Sequence, residues 1–323
     1  MIQDCKKKTL PFVSFIIPTL NAEKTLGLCL KAIFEIDYPK NKYEILIIDN
    51  GSTDNTLKIA QKFKIKYFIK PNLTIAALRN YGAQHSKGEI LAFVDADCII
   101  QKDWLKNAIN ILTDEKIGVT GCYYGIPQNA SWIVKAWYLP QNVSLQKVNF
   151  IPSGNLIVKR EVFNKVRGFD KKLITGEDYD FCQRVKKAGY SIISSSSVQA
   201  IHLDDTDNLK KFLKKEIWYG KGMLPSIKKL LNKTVLLCHM FAASLIVFFL
   251  SIIFRWKCLW IVSPFLLFGI PIFSAFYRNF FKIGPREIKY FFHLIPIYFT
   301  YFLGRSISLF HIYGNLFWKI LSR

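Results

Sequence analysis

Short apolar runs of strand length alternate with segments of helical period through the first part of the chain. Such strand and helix segments in strict alternation form a mostly parallel sheet with helices on both faces. We therefore predict an α/β fold. The predicted strands are Val13–Ile17, Tyr43–Ile48, Lys66–Ile69 and Ile90–Val94, and the predicted helices are Glu23–Glu35, Thr53–Phe63 and Thr74–His85.

Long uncharged runs replace this alternation near residue 233. Thr234–Phe254 holds 21 residues without Asp, Glu, Lys or Arg. As a helix it would be about 31 Å long, which matches the hydrocarbon core of a bilayer. Cys258–Tyr277 is a second run of this kind, and its internal prolines are tolerated in membrane helices. A third apolar stretch, 290–313, either spans the membrane or lies in its interface.

These patterns divide the chain into two predicted parts. Residues 1–232 are predicted to form the α/β domain, and residues 233–323 an α-helical transmembrane region. The first two apolar runs, 234–254 and 258–277, are the predicted spans, with 290–313 as the third candidate.

The charge pattern bears on the partners of this chain. It has 45 Lys and Arg against 23 Asp and Glu, which gives a net charge of +22. The basic residues lie along predicted helices such as Asn208–Lys215 and beside the apolar runs. Attraction to an anionic leaflet accounts for this, and nucleic acid is not a predicted partner. Basic residues such as Arg278 and Lys289 after the second run predict a cytoplasmic loop. We therefore predict a multi-pass protein of the cell membrane with its α/β domain in the cytoplasm.

Asp95-Ala96-Asp97 directly follows the apolar run Ile90–Val94. In an extended segment side chains i and i+2 point to the same side, so these two carboxylates could hold a hard divalent cation against a diphosphate. An ordinary solvated turn after a strand is the alternative. The seven cysteines include no Cys-x-x-Cys pair, which argues against a metal–thiolate site. The carboxylates of Asp95 and Asp97 therefore predict a nucleotide-sugar site with a divalent cation. The sequence does not distinguish Mg²⁺ from Mn²⁺.

Polar clusters follow three of the predicted strands, at the sheet edge where α/β proteins bind ligands. These clusters belong to a series of seven motifs, which are, in order, Ser14–Asn21 (SFIIPTLN), Ile47–Asp54 (IIDNGSTD), Ala77–Gly82 (ALRNYG), Val94–Asp97 (VDAD), Pro152–Asn155 (PSGN), Gly168–Asp170 (GFD) and Gly176–Asp180 (GEDYD). The motifs resemble glycosyltransferase family 2 over roughly residues 12–222. This resemblance implies a GT-A fold with a Rossmann-like sheet, a nucleotide-diphosphate-sugar donor, and inversion at the anomeric carbon.

The resemblance assigns donor-binding roles to the first motifs. Pro18 and Thr19 would shape the pocket for the nucleotide base, and Asp49 would accept a hydrogen bond from that base. Helix capping is the alternative for Asp49, although neighbouring residues compete for it. Arg79 would contact the diphosphate or the base edge, and its alternative is an ordinary surface cation.

The resemblance also assigns the metal and sugar contacts. Asp95 would face the ribose or the metal, and Asp97 would coordinate the cation that bridges both phosphates. His202 would complete the metal shell, with a structural histidine as the alternative. Gly154 and Asn155 would lie against the donor sugar, where a missing side chain permits close approach.

Gly176-Glu177-Asp178 supplies the predicted catalytic carboxylates. An acceptor hydroxyl must lose its proton as it attacks, and a carboxylate within hydrogen-bond reach is a common general base. The resemblance implies that Asp178 is this base and that Glu177 orients it or contacts the acceptor. An acidic helix start stabilised by the helix dipole explains the same residues and is compatible with that role.

The acceptor is predicted from the membrane region. The stretch Glu216–Gly222 lacks the Gln-x-x-Arg-Trp signature of processive family members, which favours transfer of a single sugar. Its Trp218, Tyr219 and Lys221 belong either to a mobile loop over the donor, with Gly220 and Gly222 as hinges, or to an interfacial aromatic anchor ahead of the membrane region. We predict a lipid-linked oligosaccharide or glycolipid acceptor. The alternatives are a polyprenyl phosphate acceptor and a non-catalytic membrane scaffold.

Overall fold

A computed structural model describes residues 10–138, 145–203, 206–222, 232–282 and 288–321. The chain divides into two compact units. The first holds the described residues of Met1–Pro127 and Pro140–Leu203, and the second holds those of Gln128–Leu139 and Asp204–Arg323.

The helices and strands follow one another along the chain as an α/β pattern that ends in long helices. The strands are β1 Val13–Thr19, β2 Tyr43–Asp49, β3 Lys66–Ile69, β4 Ile90–Val94, β5 Cys98–Ile100, β6 Ile117–Gly121, β7 Gln146–Lys147, β8 Asn155–Lys159, β9 Ser191–Ser194 and β10 Ala200–His202. The helices are α1 Leu26–Phe34, α2 Thr56–Lys62, α3 Ile75–Gln84, α4 Trp104–Ile111, α5 Trp132–Trp137, α6 Arg160–Lys165, α7 Glu177–Lys187, α8 Leu209–Gly220, α9 Lys233–Ile253, α10 Lys257–Tyr277 and α11 Ile288–Leu321.

The first unit is built on a mixed sheet in the order β3-β2-β1-β4-β8-β6-β9-β7. Strands β1 to β4 pair in parallel, β8 runs antiparallel to both β4 and β6, and β9 is parallel to β6. A separate antiparallel pair joins β5 and β10. The carboxyl ends of β1, β2 and β4 therefore meet at one edge of the sheet, as the strand and helix pattern predicts.

Both faces of this sheet are covered, because apolar side chains of β1 alternate between two buried clusters. Phe15 and Ile17 belong to one cluster, which also contains Trp104 of α4. Ile16 belongs to the other, with Phe181 of α7. The α/β fold predicted from the sequence is confirmed.

The predicted elements of the first unit are all present, but several of their ends differ. β1 continues through Pro18 to Thr19, because its pairing with β4 ends at Ile16 and Pro18 has only β2 beside it. α2 begins at Thr56 instead of Thr53, since the Asp54 carboxylate accepts a hydrogen bond from Thr56 N at 2.9 Å and holds the preceding residues in a turn.

The second unit is helical. α11 packs against α5, α8, α9 and α10. By length and composition, α9 is the one helix of the described residues able to cross a membrane. The predicted span 234–254 corresponds to α9. The predicted spans 258–277 and 290–313 form helices α10 and α11, and their crossing of a membrane stays a prediction.

The stretch Glu216–Gly222 is helical as far as Gly220. The buried carboxylate of Glu216 is bound by Nε and Nη2 of Arg305, at 2.8 Å each. A methyl group added to Gly220 would collide with Ser308. The mobile-loop interpretation is therefore wrong for 216–220, because this face of α8 packs closely on α11. The same packing places α8 in the second unit, with the C-terminal helices.

Candidate active site

Thr19 and Asp49 lie side by side at the ends of β1 and β2. Asp49 is fully buried, and its carboxylate accepts hydrogen bonds from Thr19 Oγ1 at 3.0 Å, Gly51 N at 2.9 Å and Ser52 N at 2.8 Å. Ser52 Oγ donates a further bond of 2.5 Å. Asp49 thus shapes the turn after β2, beside the buried Pro18. Contact with a base stays a prediction that requires the Thr19 or Ser52 hydroxyl to turn away.

Asp95 and Asp97 lie in a turn between β4 and β5, and not in an extended segment. Cys98 N donates a hydrogen bond to Asp95 O at 3.0 Å, which closes a β-turn. The prediction that strand alternation aligns the two carboxylates is therefore wrong, because alternation applies to extended backbone. Each carboxylate has its own partners in the structure.

The Asp95 carboxylate is held on both oxygens. Oδ1 accepts a hydrogen bond from Arg79 Nη2 at 2.6 Å, and Oδ2 accepts one from the Tyr124 hydroxyl at 3.4 Å. Burial, and then the Asp95 charge, raise the pKa of Tyr124 well above its ordinary value, so the phenol keeps its proton and donates. Arg79 is 3% exposed, which excludes its alternative as a surface cation.

Gly154 makes room for this carboxylate. A methyl group built at Gly154 would overlap Oδ2 of Asp95 and the Tyr124 hydroxyl. Asp95 N also donates a hydrogen bond to Gly154 O at 3.2 Å. The close approach that the missing side chain permits is therefore to Asp95, and contact with a donor sugar stays a prediction.

We expect Gly154→Ala to lower kcat by about 10²-fold, because a displacement of about 1 Å in an active-site group has that effect. The added methyl should also cost about 1–3 kcal/mol of folding free energy through overpacking. Steady-state kinetics and thermal unfolding measure the two effects. Gly27→Ala in α1 is the matched control, because its methyl would meet only Ile59 at 3.9 Å. Wild-type kcat in Gly154→Ala would contradict the prediction.

Asn155 has a structural role. Its side chain is fully buried, and Oδ1 accepts a hydrogen bond from Trp104 Nε1 at 2.9 Å. Nδ2 donates to Cys122 O at 3.0 Å and to Val198 O at 2.9 Å. The amide is thus bonded to three neighbouring segments, and a contact between Asn155 and the donor sugar stays a prediction.

Glu177 begins α7 and is tied to two other parts of the first unit. Its Oε1 accepts hydrogen bonds from Arg79 Nη1 at 2.8 Å and from Ser153 Oγ at 3.0 Å. Gly176 caps the helix with a φ of 76°, a left-handed conformation that favours glycine. The side chain of Glu177 is 8% exposed, so it is placed to orient its neighbours.

Asp178 follows in the first turn of α7, where the helix dipole favours acidic residues. Its Oδ1 accepts a hydrogen bond from Tyr179 N at 2.7 Å. Burial, and then the Glu177 charge, raise the pKa of Asp178 to about 6. A carboxylate with such a pKa is ionised at neutral pH and is a stronger base than an ordinary aspartate.

Asp97 and His202 come together through the pairing of β5 with β10. His202 Nε2 lies 3.3 Å from Asp97 Oδ2, close to the spacing of about 3 Å between adjacent ligands of one octahedral cation. His202 Nδ1 is buried and has no hydrogen-bond partner among the described residues. Imidazole nitrogen and carboxylate oxygen are both common ligands of divalent cations. These two residues therefore fit a divalent cation.

Cys98 is the third side chain that lies within 4.8 Å of this pair. Burial, and then the Asp95 and Asp97 charges, raise the pKa of its thiol well above the ordinary value. A protonated thiol is a poor ligand for Mg²⁺ or Mn²⁺. Asp95, the third predicted ligand, is bound by Arg79, so its contact with a metal stays a prediction.

The comparisons with known proteins agree with this geometry. Residues 14–167 match the family described as Glycosyl transferase family 2. The chain is 33% identical over 230 residues to the glycosyltransferase AglE of Haloferax volcanii, an alignment covering 67% of this chain and 74% of that protein. The chain belongs to glycosyltransferase family 2.

This glycosyltransferase has a second relative of similar coverage in Methanococcus voltae. It is the dolichyl N-acetyl-alpha-D-glucosaminyl phosphate 3-beta-D-2,3-diacetamido-2,3-dideoxy-beta-D-glucuronosyltransferase. The two are 30% identical over 244 residues, which is 66% of this chain and 74% of that enzyme.

Solved structures of similar fold extend over nearly the whole chain. The mannosyltransferase PcManGT from Pyrobaculum calidifontis, in complex with GDP-Man and Mn²⁺, superposes with a TM-score of 0.61 at 18% identity, covering 94% of this chain and 88% of that one. Staphylococcus aureus TarS 1-349, in complex with UDP-GlcNAc, has a TM-score of 0.51 at 18% identity, covering 94% and 92%. These likenesses show the GT-A fold of this glycosyltransferase.

Two residues at this site, Tyr124 and Ser153, have no role in the sequence-based prediction. Tyr124 follows β6, a strand outside the predicted set, and joins Asp95 to His202, whose ring lies 4.7 Å from the Tyr124 ring. Ser153 lies in the motif Pro152–Asn155, to which the resemblance assigns no role for it. In the structure its Oγ donates a hydrogen bond to Glu177 Oε1. The polar segment around Ser153 was the available signal, whereas Tyr124 had none.

Proposed function

We propose that this glycosyltransferase moves one sugar from a nucleotide-diphosphate sugar to a hydroxyl group of a lipid-linked oligosaccharide or glycolipid, with inversion at the anomeric carbon. The observation that carries this proposal is the environment of Asp178. A carboxylate with a raised pKa stands at the start of α7, next to Glu177, which Arg79 connects to the acidic turn of Asp95 and Asp97.

The residues of the chain divide the work in this proposal. Asp178 accepts the proton of the acceptor hydroxyl as that oxygen attacks the anomeric carbon. Thr19 and Asp49 border the base at the ends of β1 and β2, where sheets of this kind bind ligands. Asp95, whose carboxylate is bound by Arg79, faces the ribose of the donor.

Asp97 and His202 are the residues that would hold Mg²⁺ or Mn²⁺. The cation would neutralise the negative charge that develops on the leaving diphosphate. PcManGT, a structure of similar fold, was solved with Mn²⁺ and GDP-Man, which supports a divalent metal in this fold.

The membrane is the proposed location of the acceptor. α9 and α10 expose large apolar side chains, among them Phe249 (60%), Ile253 (70%), Phe265 (74%) and Phe273 (65%). Exposed apolar surface of this extent is characteristic of a membrane or protein contact. The Methanococcus voltae relative carries a dolichyl-linked sugar phosphate in its name, which supports a lipid-linked acceptor. We place the first unit on the cytoplasmic side of a multi-pass membrane anchor.

A polyprenyl phosphate is the second candidate acceptor. Its attacking oxygen is already ionised, so a general base would contribute little. The raised pKa of Asp178 favours a hydroxyl acceptor, because it makes the carboxylate a better proton acceptor at neutral pH.

Release of nucleoside diphosphate from a panel of nucleotide sugars tests the proposal. The full chain in detergent, with lipid extract as acceptor, is assayed with and without a chelator. We expect release from one or two donors, and its loss on chelation. If donors bind but none is cleaved, the non-catalytic scaffold is favoured. If Asp178→Asn transfers sugar to purified polyprenyl phosphate at the wild-type rate, the second candidate acceptor is favoured.

A further inference from the structure

Arg79 occupies the centre of a buried ionic network in the first unit. It belongs to α3, and its side chain is 3% exposed. Nη2 donates to Asp95 Oδ1 at 2.6 Å, and Nη1 donates to Glu177 Oε1 at 2.8 Å. Nε is buried as well and has no hydrogen-bond partner among the described residues. Both arms of the guanidinium are therefore directed at protein carboxylates.

The two carboxylates belong to separate elements. Asp95 begins the turn after β4, 16 residues from Arg79, and Glu177 begins α7, 98 residues away. The guanidinium is planar and its donors keep a fixed geometry, so it sets the spacing between the groups that it bridges. A lysine at the same place would be a single flexible point charge without that geometry.

Each carboxylate has a second anchor that completes its orientation. The Tyr124 hydroxyl binds the other oxygen of Asp95 at 3.4 Å, and Ser153 Oγ binds Glu177 Oε1 at 3.0 Å. With its side chain only 3% exposed, Arg79 offers almost no surface to a donor phosphate while both carboxylates are in place. The predicted contact between Arg79 and the donor is thus at odds with the geometry.

We propose that Arg79 is a positioning residue, which fixes the α7 start carrying Glu177 and Asp178 against the turn carrying Asp95 and Asp97, and which does not touch the donor. The inference deepens the proposed function and rests on it, because Asp178 is the base there. Arg79 acts on the reaction through the alignment of the base with the donor site.

The charges around Asp178 give a second readout. Glu177 raises its pKa and Arg79 lowers it, while Tyr123 and Cys182 also face it. Arg79→Lys retains the positive charge and changes the geometry, whereas Arg79→Gln removes both. The acid limb of the kcat profile should therefore move to higher pH in Arg79→Gln and move less in Arg79→Lys.

The test compares Arg79→Lys, Arg79→Gln, Glu177→Gln and the Arg79→Gln/Glu177→Gln double variant in the full chain. We expect kcat to fall by about 10²-fold in Arg79→Lys, while KM for the donor and the affinity for its nucleoside diphosphate stay near wild type. The double variant should lose less kcat than the sum of the two single variants predicts, because Arg79 and Glu177 act as a unit. It also removes one buried carboxylate along with its partner, which protects against a failure to fold.

Three outcomes would overturn the inference. A higher KM and a weaker nucleoside diphosphate affinity at unchanged kcat would make Arg79 a donor contact. A lower melting temperature at unchanged kcat and pH profile would make it a purely structural residue. Absence of turnover in the wild type, with every donor, would reject the proposed function and the inference together, and this result is separate from the first two because they require an active wild type.

Discussion

Asp178→Asn is expected to lower kcat by about 10²–10⁴-fold, the range that a positioned general base contributes. Asparagine has nearly the same shape, so the loss reflects the missing proton acceptor. Donor binding should persist, because the donor-side residues are unchanged. Single-turnover transfer and a separate titration with nucleoside diphosphate measure the two quantities.

The matched control lies in the same helical turn. Asp180 is two residues further on, and it forms an ion pair with Arg184 at 2.8 Å. Asp180→Asn should keep wild-type kcat, since its carboxylate is directed at that arginine. Equal loss of kcat in both variants would point to general damage at the start of α7 and would count against Asp178 as the base.

The pH dependence follows from the raised pKa of Asp178, which is about 6. The base is active when ionised, so kcat should be lost as the pH falls through this value and should reach a plateau above it. The effect on stability has the opposite sense. Because the folded-state pKa is raised above the ordinary value, ionising Asp178 costs folding free energy as the pH rises from about 4 to above 6. Asp178→Asn should therefore melt no lower than wild type at neutral pH.

The local hydrophobic pattern was sufficient to predict most strands and helices of the first unit. Lys66–Ile69 and Ile90–Val94 have the predicted bounds, because apolar runs between polar turns define strands without help from distant residues. Helix starts were less predictable. Thr56 begins α2 only because the Asp54 side chain binds its backbone, and such a contact leaves no trace in the hydrophobic pattern.

The partners of the site residues could not be read from the sequence. Arg79 has a motif position that suggested a ligand contact, but its carboxylate partners lie 16 and 98 residues away. Asn155 also has a motif position that suggested a ligand contact, but its amide forms three long-range hydrogen bonds inside the protein. Long-range pairing decides whether a polar motif residue faces a ligand or holds the fold, and a single sequence does not contain that information.

The second large effect concerns Asp97, which we expect to be indispensable for the divalent cation. Removing a residue that only supports a metal ligand costs about 10–100-fold in affinity, so Asp97→Asn should weaken Mn²⁺ binding by at least about 10²-fold and lower kcat correspondingly at fixed Mn²⁺. Mn²⁺ binding measured by electron paramagnetic resonance gives a readout independent of turnover. Asp103→Asn, at an exposed position before α4, is the matched control.

Asp95→Asn distinguishes the contributions of Asp95 and Asp97 to cation binding. Asp95 is already paired with Arg79, whereas Asp97 faces His202 at 3.3 Å, so Asp97 should contribute most of the cation affinity. We therefore expect Asp95→Asn to retain more Mn²⁺ affinity than Asp97→Asn, and His202→Ala to lie between wild type and Asp97→Asn. The reverse order would mean that the cation draws Asp95 away from Arg79 when it binds. In that event the buried bridge between Asp95 and Glu177 would belong to the metal-free protein alone.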